Sequence, residues 1–490
     1  MLPMSQTANR NYKLNAGRLV IVSNRLPISM NQGADGEWEV TPSSGGLVTA
    51  LTPVLRDRNG LWLGWTGVLD ENNLDELLAK GSKGTGYSLR PVTLTGEDIN
   101  LYYFGFSNEV IWPLFHDLQS RCNFNPSYWQ SYLQVNSKFA EAILRNSSQD
   151  DYVWVQDYHL MLVAKSLQAM GEKRNLGFFS HIPFPSPDIF NKLPWRLQIL
   201  RALLDYNMIG FQTMRDRNNF IHCAETLIKG LQADTRRQIA TINLQDHETK
   251  VGVFPISIDF HDFSTAAAET AVINRAVELS NATPNCKIIL GVDRLDYSKG
   301  IPEKLRAFEY TLKRYENLHG RVTLIQIVVP SRVDIPEYVN LKNEIEGLVS
   351  RINGEYAQPG WTPVTYMFRS LERAELLAYY RAARIALVTP LKDGMNLVAK
   401  EYCTANTNNE GVLILSEFAG AAAQLHRNAL MVNPYDTEGV ANAIYHAYQM
   451  PEKEQQLRMK RLRSSIARRD IYWWVNLFLR TSGTGQSATS

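Results

Sequence analysis

Short, continuous apolar runs recur along this chain, and each is followed by a stretch of helical character. The first is Leu19-Val20-Ile21-Val22, and others fall at 152–155, 176–179, 208–211, 287–292, 322–329, 384–389 and 411–415. A strand buried on both faces reads as such a run, because neither side of the pleat meets water. Helix-like segments lie between them at 133–146, 158–170, 301–316, 371–383 and 437–449. Strand and helix patterns in alternation predict an α/β fold with parallel sheets. No fixed-period repeat is visible, which argues against a solenoid. With 490 residues and 44% hydrophobic composition, the chain is long enough for two or three cores. The alternation pauses around 255–285: Val251–Ile256 reads as a last strand, a weakly patterned segment follows, and Lys287–Val292 starts the pattern again. Two doubly wound domains facing a central cleft are therefore expected.

Charge and cysteine usage remove several classes of function. Lys and Arg number 51 against 49 Asp and Glu, a formal charge of +2, which is not the basic footprint of a nucleic-acid binder. The cysteines at 122, 223, 286 and 403 are far apart and form no CxxC pair or metal spacing, as expected for reduced thiols in a cytoplasm. No apolar run approaches the roughly 18–20 residues needed to cross a bilayer. The opening MLPMSQTANRNYKLNAG lacks the apolar core of a secretory signal. The expectation is a cytoplasmic protein that binds neither membrane nor nucleic acid.

In open α/β sheets ligands bind beyond the carboxyl ends of the strands, so residues just after each apolar run carry the chemistry. Asn24-Arg25 ends the first strand, where arginine can grip an anion or make a structural ion pair. Ser43-Ser44-Gly45-Gly46 precedes a helix-like run. Paired glycines there allow either a flexible turn or close approach to a phosphate at a helix start. Asp157 follows the 152–155 run; it can accept sugar hydroxyls, but capping the next helix is the default role for such a residue. His181 opens a loop stiffened by Pro183, Pro185 and Pro187. The turn Asp293-Arg294-Leu295-Asp296-Tyr297-Ser298-Lys299-Gly300 follows one strand and precedes a helix with Pro302 in its first turn. Arg294, a planar fork, and Lys299, a mobile point charge, suit one diphosphate between them. Pro330-Ser331-Arg332 repeats the theme after the next strand. Finally, LVTPLKDGMNLVAKE at 387–401 reads as strand, charged turn and helix start. Its free N–H groups suit phosphate, and Asp393 and Glu401 suit sugar and ribose hydroxyls.

Taken together, the stretches VIVSNRLP, SSGGL, GLWLGWTG, YYFGFSNEVIWPLFH, WVQDYHL, HIPFPSPDIF, RLDYSKGIPEKL, RINGEYAQPGWTP, TPLKDGMNLVAKEY and LSEFAGAA closely resemble the trehalose-6-phosphate synthase family of retaining glycosyltransferases. They run in order from about 18 to 480, nearly the whole chain. The resemblance implies the GT-B arrangement of two Rossmann-like domains, at 18–260 for the acceptor and 261–455 for the nucleotide sugar. A polar extension (1–17) would precede them. A helical segment (456–481) would pack back on the first domain, ahead of a disordered tail (482–490). It implies transfer of glucose from a nucleotide donor, usually UDP-glucose, to glucose 6-phosphate. Arg25, Tyr103, Asp157 and Arg332 would hold the acceptor, with Trp112 nearby. Gly45 and Gly46 would close over the donor, and Arg294 and Lys299 would bind its diphosphate. Asp393 with Gly394, Met395 and Asn396 would grip the transferred glucose. Leu397, Val398 and Ala399 would meet phosphate and Glu401 the ribose, while His181 would contact the donor sugar near the reacting carbon. Lys400 has no assignment. Leu371 stands near a position where an aromatic is expected, which leaves the donor base open between UDP, ADP and GDP.

No nucleophile–base pair stands out, so retention is expected to proceed on one face of the sugar, with the leaving phosphate taking the acceptor's proton. Positioning and charge stabilisation would be the protein's contribution. No cofactor or metal is expected, because cationic side chains neutralise the diphosphate. A homo-oligomer stays open. The rival readings are a glucosylglycerol-phosphate synthase, using ADP-glucose and glycerol 3-phosphate, and a non-catalytic sugar-phosphate sensor.

Overall fold

A computed structural model of the chain describes residues 17–483 apart from 33–37, 43–45, 57, 70–73, 75–76, 79–85, 246, 284 and 332–334. The chain falls into two units, residues 1–256 with 471–490, and residues 257–470. Each is built on a doubly wound α/β sheet.

In the first unit the strands are β1 (Leu19–Arg25), β2 (Ile28–Gln32), β3 (Trp38–Pro42), β4 (Leu61–Trp65), β5 (Ser88–Pro91), β6 (Tyr152–Gln156), β7 (Asn175–Phe179), β8 (Met208–Phe211), β9 (Gln232–Asp234), β10 (Ala240–Leu244) and β11 (His247–Val253). Nine of them form one sheet in the order β5-β4-β1-β6-β7-β8-β11-β10-β9. The pairs from β5 through to β11 are parallel; the β11–β10 and β10–β9 pairings at one edge are antiparallel. β2 and β3 form a separate antiparallel hairpin. Six consecutive residues of β1 are buried and Arg25, the seventh, emerges at its carboxyl end. The apolar run therefore makes the sheet core and delivers a cation to its rim. The strand order reverses between β1 and β6, so residues after these two strands share one crevice.

In the second unit β12 (Lys287–Arg294), β13 (Val322–Val329), β14 (Val364–Phe368), β15 (Ile385–Val388), β16 (Val412–Ser416) and β17 (Leu430–Val432) form a sheet ordered β14-β13-β12-β15-β16-β17. Every pairing is parallel. Helices Ile301–Arg314, Pro336–Tyr356, Arg373–Ala382, Leu397–Ala405 and Ala422–Leu425 make the crossovers. The first shows why: Ile301, Leu305, Phe308 and Leu312 recur at helical spacing and are all buried. Here the order reverses between β12 and β15, the strands that carry the RLDYSKG and LKDGMN stretches.

The C-terminal stretch is divided between the units. Helix Glu452–Arg468 belongs to the second, whereas Ile471–Thr481 lies on the first. In that last helix, the Trp474 indole N–H donates to the Phe254 carbonyl at 3.0 Å. Phe478 stacks on Trp154 with centroids 4.2 Å apart. Both aromatics are fully buried, each burial being worth roughly 1.5–3 kcal/mol. Among the described residues no helix is long and apolar enough to cross a membrane.

Candidate active site

The carboxyl end of β12 is anchored from inside. Asp293 there is buried and forms an ion pair with the equally buried Lys304, and its Oδ2 also accepts from Gln326 Nε2 at 2.9 Å. Such a pair is tolerated because each charge meets its partner. Arg294, the next residue, leaves the sheet with its side chain 44% exposed; its guanidinium lies 3.6 Å from the buried Asp296 carboxylate. The chain then makes a tight turn, Tyr297–Lys299, in which the Asp296 side chain accepts from Ser298 N at 2.9 Å. The turn ends at Gly300 with φ 63°. A side chain there would place its Cβ 2.8 Å from the Thr389 carbonyl oxygen, so only glycine lets this turn lie against the end of β15. The Leu391 N–H donates to the Ser298 carbonyl at 2.8 Å and closes the approach.

This contact brings the two charged stretches together. Lys299 Nζ lies 2.6 Å from Asp393 Oδ2, with 13% and 14% of the two side chains exposed. The residues expected to meet the diphosphate and the sugar are thus bonded to each other. Asn396 Nδ2 donates to the same carboxylate oxygen at 3.2 Å. Its Oδ1 accepts from Ala399 N at 3.1 Å and caps helix Leu397–Ala405. The backbone of 393–396 is held from the other side by the loop after β16. The Asp393 N–H donates to Phe418 O at 3.2 Å, Gly420 N–H to Asp393 O at 3.0 Å and Ala421 N–H to Met395 O at 2.7 Å. At Gly420 an added Cβ would fall 1.8 Å from the Gly394 carbonyl oxygen, which fixes the residue as glycine. Met395 is buried, whereas Leu397 and Val398 at the helix start are half-buried. On the same helix Glu401 accepts from the Tyr380 hydroxyl at 2.8 Å, and burial pushes its carboxyl above the usual range. Lys400, the residue before it, is fully buried; burial, with Arg469 nearby, lowers its pKa to about 7.

The first unit gathers a second set at its own reversal point. Arg25 lies over the Trp65 ring at 4.6 Å. Desolvation by its neighbours lowers the guanidinium pKa, although the side chain reaches solvent and Tyr103 lies close enough to oppose the shift. Tyr103 sits in Ile99–Ile111, a helical run wound with π spacing. That winding is rare and often marks functional sites. Its ring stacks on His159 at 5.9 Å and meets Trp65 edge-on at 6.3 Å. Trp112 is buried, packed against Tyr158 at 5.8 Å and His116 at 4.2 Å.

Asp157 adopts φ 75°, an uncommon conformation for a residue with a side chain and one that concentrates at functional sites. It does not cap the turn that follows it, the default role for an aspartate there. Its Oδ1 instead accepts from the His181 N–H at 3.1 Å, across the sheet from β6 to the loop after β7. The His181 ring pairs through Nε2 with Gln156 Oε1 at 2.9 Å. An amide oxygen only accepts, so Nε2 carries the proton and Nδ1 is an acceptor. Burial depresses the imidazole pKa to about 3, so the ring is neutral at ordinary pH.

Gly45 and Arg332 lie outside the described residues, and Gly46 is the first residue of helix Gly46–Arg56. Three contact residues were not singled out from the sequence: Gln156 under His181, Tyr380 under Glu401 and Trp65 beneath Arg25. Gln156 and Trp65 lie inside quoted motifs, at strand ends. Tyr380 carries no signal without the fold, whereas Gly420, behind the 393–396 turn, lies inside the quoted LSEFAGAA stretch. Among the described residues no group of three or more His, Cys, Asp or Glu side chains is arranged to hold a metal.

Comparison with known proteins adds to this geometry. The model of glycosyltransferase family 20 matches residues 17–482. The chain is 41% identical over 478 residues to the UDP-forming alpha,alpha-trehalose-phosphate synthase A of Dictyostelium discoideum, covering 97% of this chain and 63% of that longer protein. Among solved structures it is similar to a trehalose-6-phosphate protein from E. coli bound with UDP-2-fluoro glucose. That match has 37% identity and a TM-score of 0.85, and covers 95% of this chain and 98% of the other. A UDP-forming alpha,alpha-trehalose-phosphate synthase from Burkholderia xenovorans, in complex with glucose-6-phosphate, matches at 33% identity with a TM-score of 0.85, covering 95% and 100%.

Proposed function

The chain belongs to glycosyltransferase family 20, and from that premise we propose that it moves glucose from UDP-glucose to glucose 6-phosphate, giving α,α-trehalose 6-phosphate and UDP. The single observation that carries the reading is the pairing of Lys299 with Asp393 at the reversal point of the second sheet. A cation and a carboxylate side by side at the carboxyl ends of β12 and β15 suit a ligand that offers phosphate and sugar hydroxyls together. Similarity to proteins solved with a UDP-sugar analogue and with glucose-6-phosphate supports the same pair of substrates.

In this reading the second unit holds the donor. Arg294 and Lys299 take the diphosphate, and the N–H groups at the start of helix Leu397–Ala405 add the positive potential of a helix N-terminus. Asp393 holds the glucose hydroxyls, with the backbone of Gly394, Met395 and Asn396 beside it, and Glu401 accepts from the ribose. The first unit holds the acceptor through Arg25, Tyr103 and Asp157, and Arg332 is proposed as a further acceptor ligand. Neutral His181 meets the donor sugar as a hydrogen-bonding group rather than as a cation, and Gly45 and Gly46 cover the donor.

The bond between the anomeric carbon and the diphosphate oxygen breaks first, with its electron pair leaving on UDP. Arg294 and Lys299 stabilise that charge as it develops. The acceptor's anomeric hydroxyl attacks the same face of the oxocarbenium-like sugar, and its proton passes to the departing phosphate oxygen. Retention then needs no protein nucleophile. A cytoplasmic setting suits the four cysteines, all of which carry free thiols.

The test is product identification. Incubation with UDP-, ADP- and GDP-glucose against glucose 6-phosphate and glycerol 3-phosphate should yield trehalose 6-phosphate from the UDP-glucose pair. Product from ADP-glucose and glycerol 3-phosphate alone would make the chain a glucosylglycerol-phosphate synthase. Ligand binding without product would make it a sensor.

A further inference from the structure

We infer that the Asn396 side chain is a positioning element of the donor site, one that keeps the Asp393 carboxylate in place when Lys299 leaves it for the donor diphosphate. The inference rests on the donor-site reading above. Asn396 adopts φ 78° and ψ 89°, a left-handed conformation that asparagine, aspartate and glycine tolerate best. Its amide is fully oriented by its neighbours. The oxygen must face the Ala399 N–H at 3.1 Å, so the NH2 group faces Asp393 Oδ2 at 3.2 Å. The same Oδ2 receives Lys299 Nζ at 2.6 Å.

Two donors therefore fix one carboxylate oxygen, and they differ in what else they must do. Lys299 sits on a long, mobile stem and is the diphosphate's cation in the proposed reaction. Once it turns to phosphate, Asp393 loses that ion pair just as it must aim at the sugar. Asn396 cannot follow Lys299, because its own oxygen is committed to the helix start. It stays, and a hydrogen bond to an ionised acceptor is among the stronger ones available. The cap and the carboxylate are held by opposite ends of one amide, which couples the helix N-terminus to the sugar-binding group.

An ordinary N-cap explains Ala399 but not Asp393, and two substitutions separate the roles. Asn396→Asp keeps a full-strength cap and the left-handed backbone but replaces the NH2 donor with an acceptor. Asn396→Gly keeps the backbone and loses only a few tenths of a kcal/mol of capping, while removing the donor without adding charge. Both variants are assayed as the full chain for melting temperature, for UDP binding by calorimetry, and for kcat with UDP-glucose and glucose 6-phosphate.

The expected result is a melting temperature near that of the wild type in both variants. In Asn396→Gly, UDP affinity stays within about threefold and kcat falls about ten- to hundredfold, the loss of a hydrogen bond to a charged group. Asn396→Asp falls at least as far in kcat. Wild-type kcat in both variants would overturn the inference and leave Asn396 as a cap. A loss of UDP affinity in Asn396→Gly equal to its loss of kcat would also overturn it, pointing to a collapsed helix start. A wild-type protein that binds no UDP and forms no product would instead overturn the proposed function.

Discussion

Gly300 offers a sharp test of how the second unit assembles its site. The perturbation is Gly300→Ala. At φ 63° an alanine pays the left-handed penalty of about 1–2 kcal/mol. Its Cβ would also lie 2.8 Å from Thr389 O and 3.0 Å from Leu391 Cδ2, inside ordinary contact distance, and such overpacking adds about 1–3 kcal/mol. The sum is roughly 2–5 kcal/mol, or a melting-temperature drop on the order of 4–20 °C for a unit of this size. The relief of that clash moves the turn carrying Lys299 away from Asp393. Displacing a catalytic group by about 1 Å lowers kcat/KM on the order of a hundredfold. Calorimetry and steady-state kinetics read both effects. Gly347→Ala is the control: Gly347 lies inside helix Pro336–Tyr356 with no atom within 4 Å of an added Cβ. There alanine should stabilise by about 0.5–1 kcal/mol. A Gly300→Ala protein with unchanged melting temperature and kcat/KM would refute the reasoning that this turn must touch the end of β15.

Other predictions follow from the same geometry. Arg294→Ala and Lys299→Ala should each cut turnover by orders of magnitude while circular dichroism shows an intact fold; near-normal kcat in either would remove its role at the diphosphate. Asp393→Asn should abolish most transfer yet tighten UDP binding, because the carboxylate that occupies Lys299 is gone; calorimetry showing equal or weaker UDP affinity would contradict that. His181 carries a folded pKa near 3 against an ordinary 6.5, so the unfolded chain binds its proton first as pH falls. Its contribution to the pH dependence of stability is therefore absent above about pH 6.5 and grows as a loss between there and pH 3. The melting temperature of His181→Gln should fall less steeply from pH 6.5 to 4 than that of the wild type, and parallel curves would show that the imidazole is not held neutral by burial.

Much of the fold was legible because buried parallel strands leave continuous apolar runs. Leu19–Val22, Lys287–Val292 and Val322–Val329 all lie in strands of the two sheets. The donor-side stretches were legible for a topological reason: Arg294, Lys299 and Asp393 follow β12 and β15, the strands on either side of the order reversal. What the sequence did not reveal is long-range side-chain pairing. Lys299 and Asp393 are 94 positions apart, and only the sheet register turns two candidate ligands into one ion pair. Asp157 shows the limit of local rules. Its place before a helical turn points to a cap, but its positive φ swings the carboxylate to the His181 backbone instead. Glu401 reads as a ribose acceptor on its helix, and its half-buried place against the Tyr380 hydroxyl depends on packing that the sequence does not show. The split of the C-terminal helices between units depends on Trp474 and Phe478 finding the first sheet, which amphipathic pattern alone does not specify.

The central claim is retaining transfer of glucose from UDP-glucose to the anomeric hydroxyl of glucose 6-phosphate. It is tested most directly by proton and carbon NMR of the product formed from UDP-glucose carrying carbon-13 at the anomeric position. The account predicts one labelled disaccharide phosphate with an α,α linkage, accompanied by an equal amount of UDP. A β-configured linkage, labelled free glucose alone, or no labelled product would contradict it.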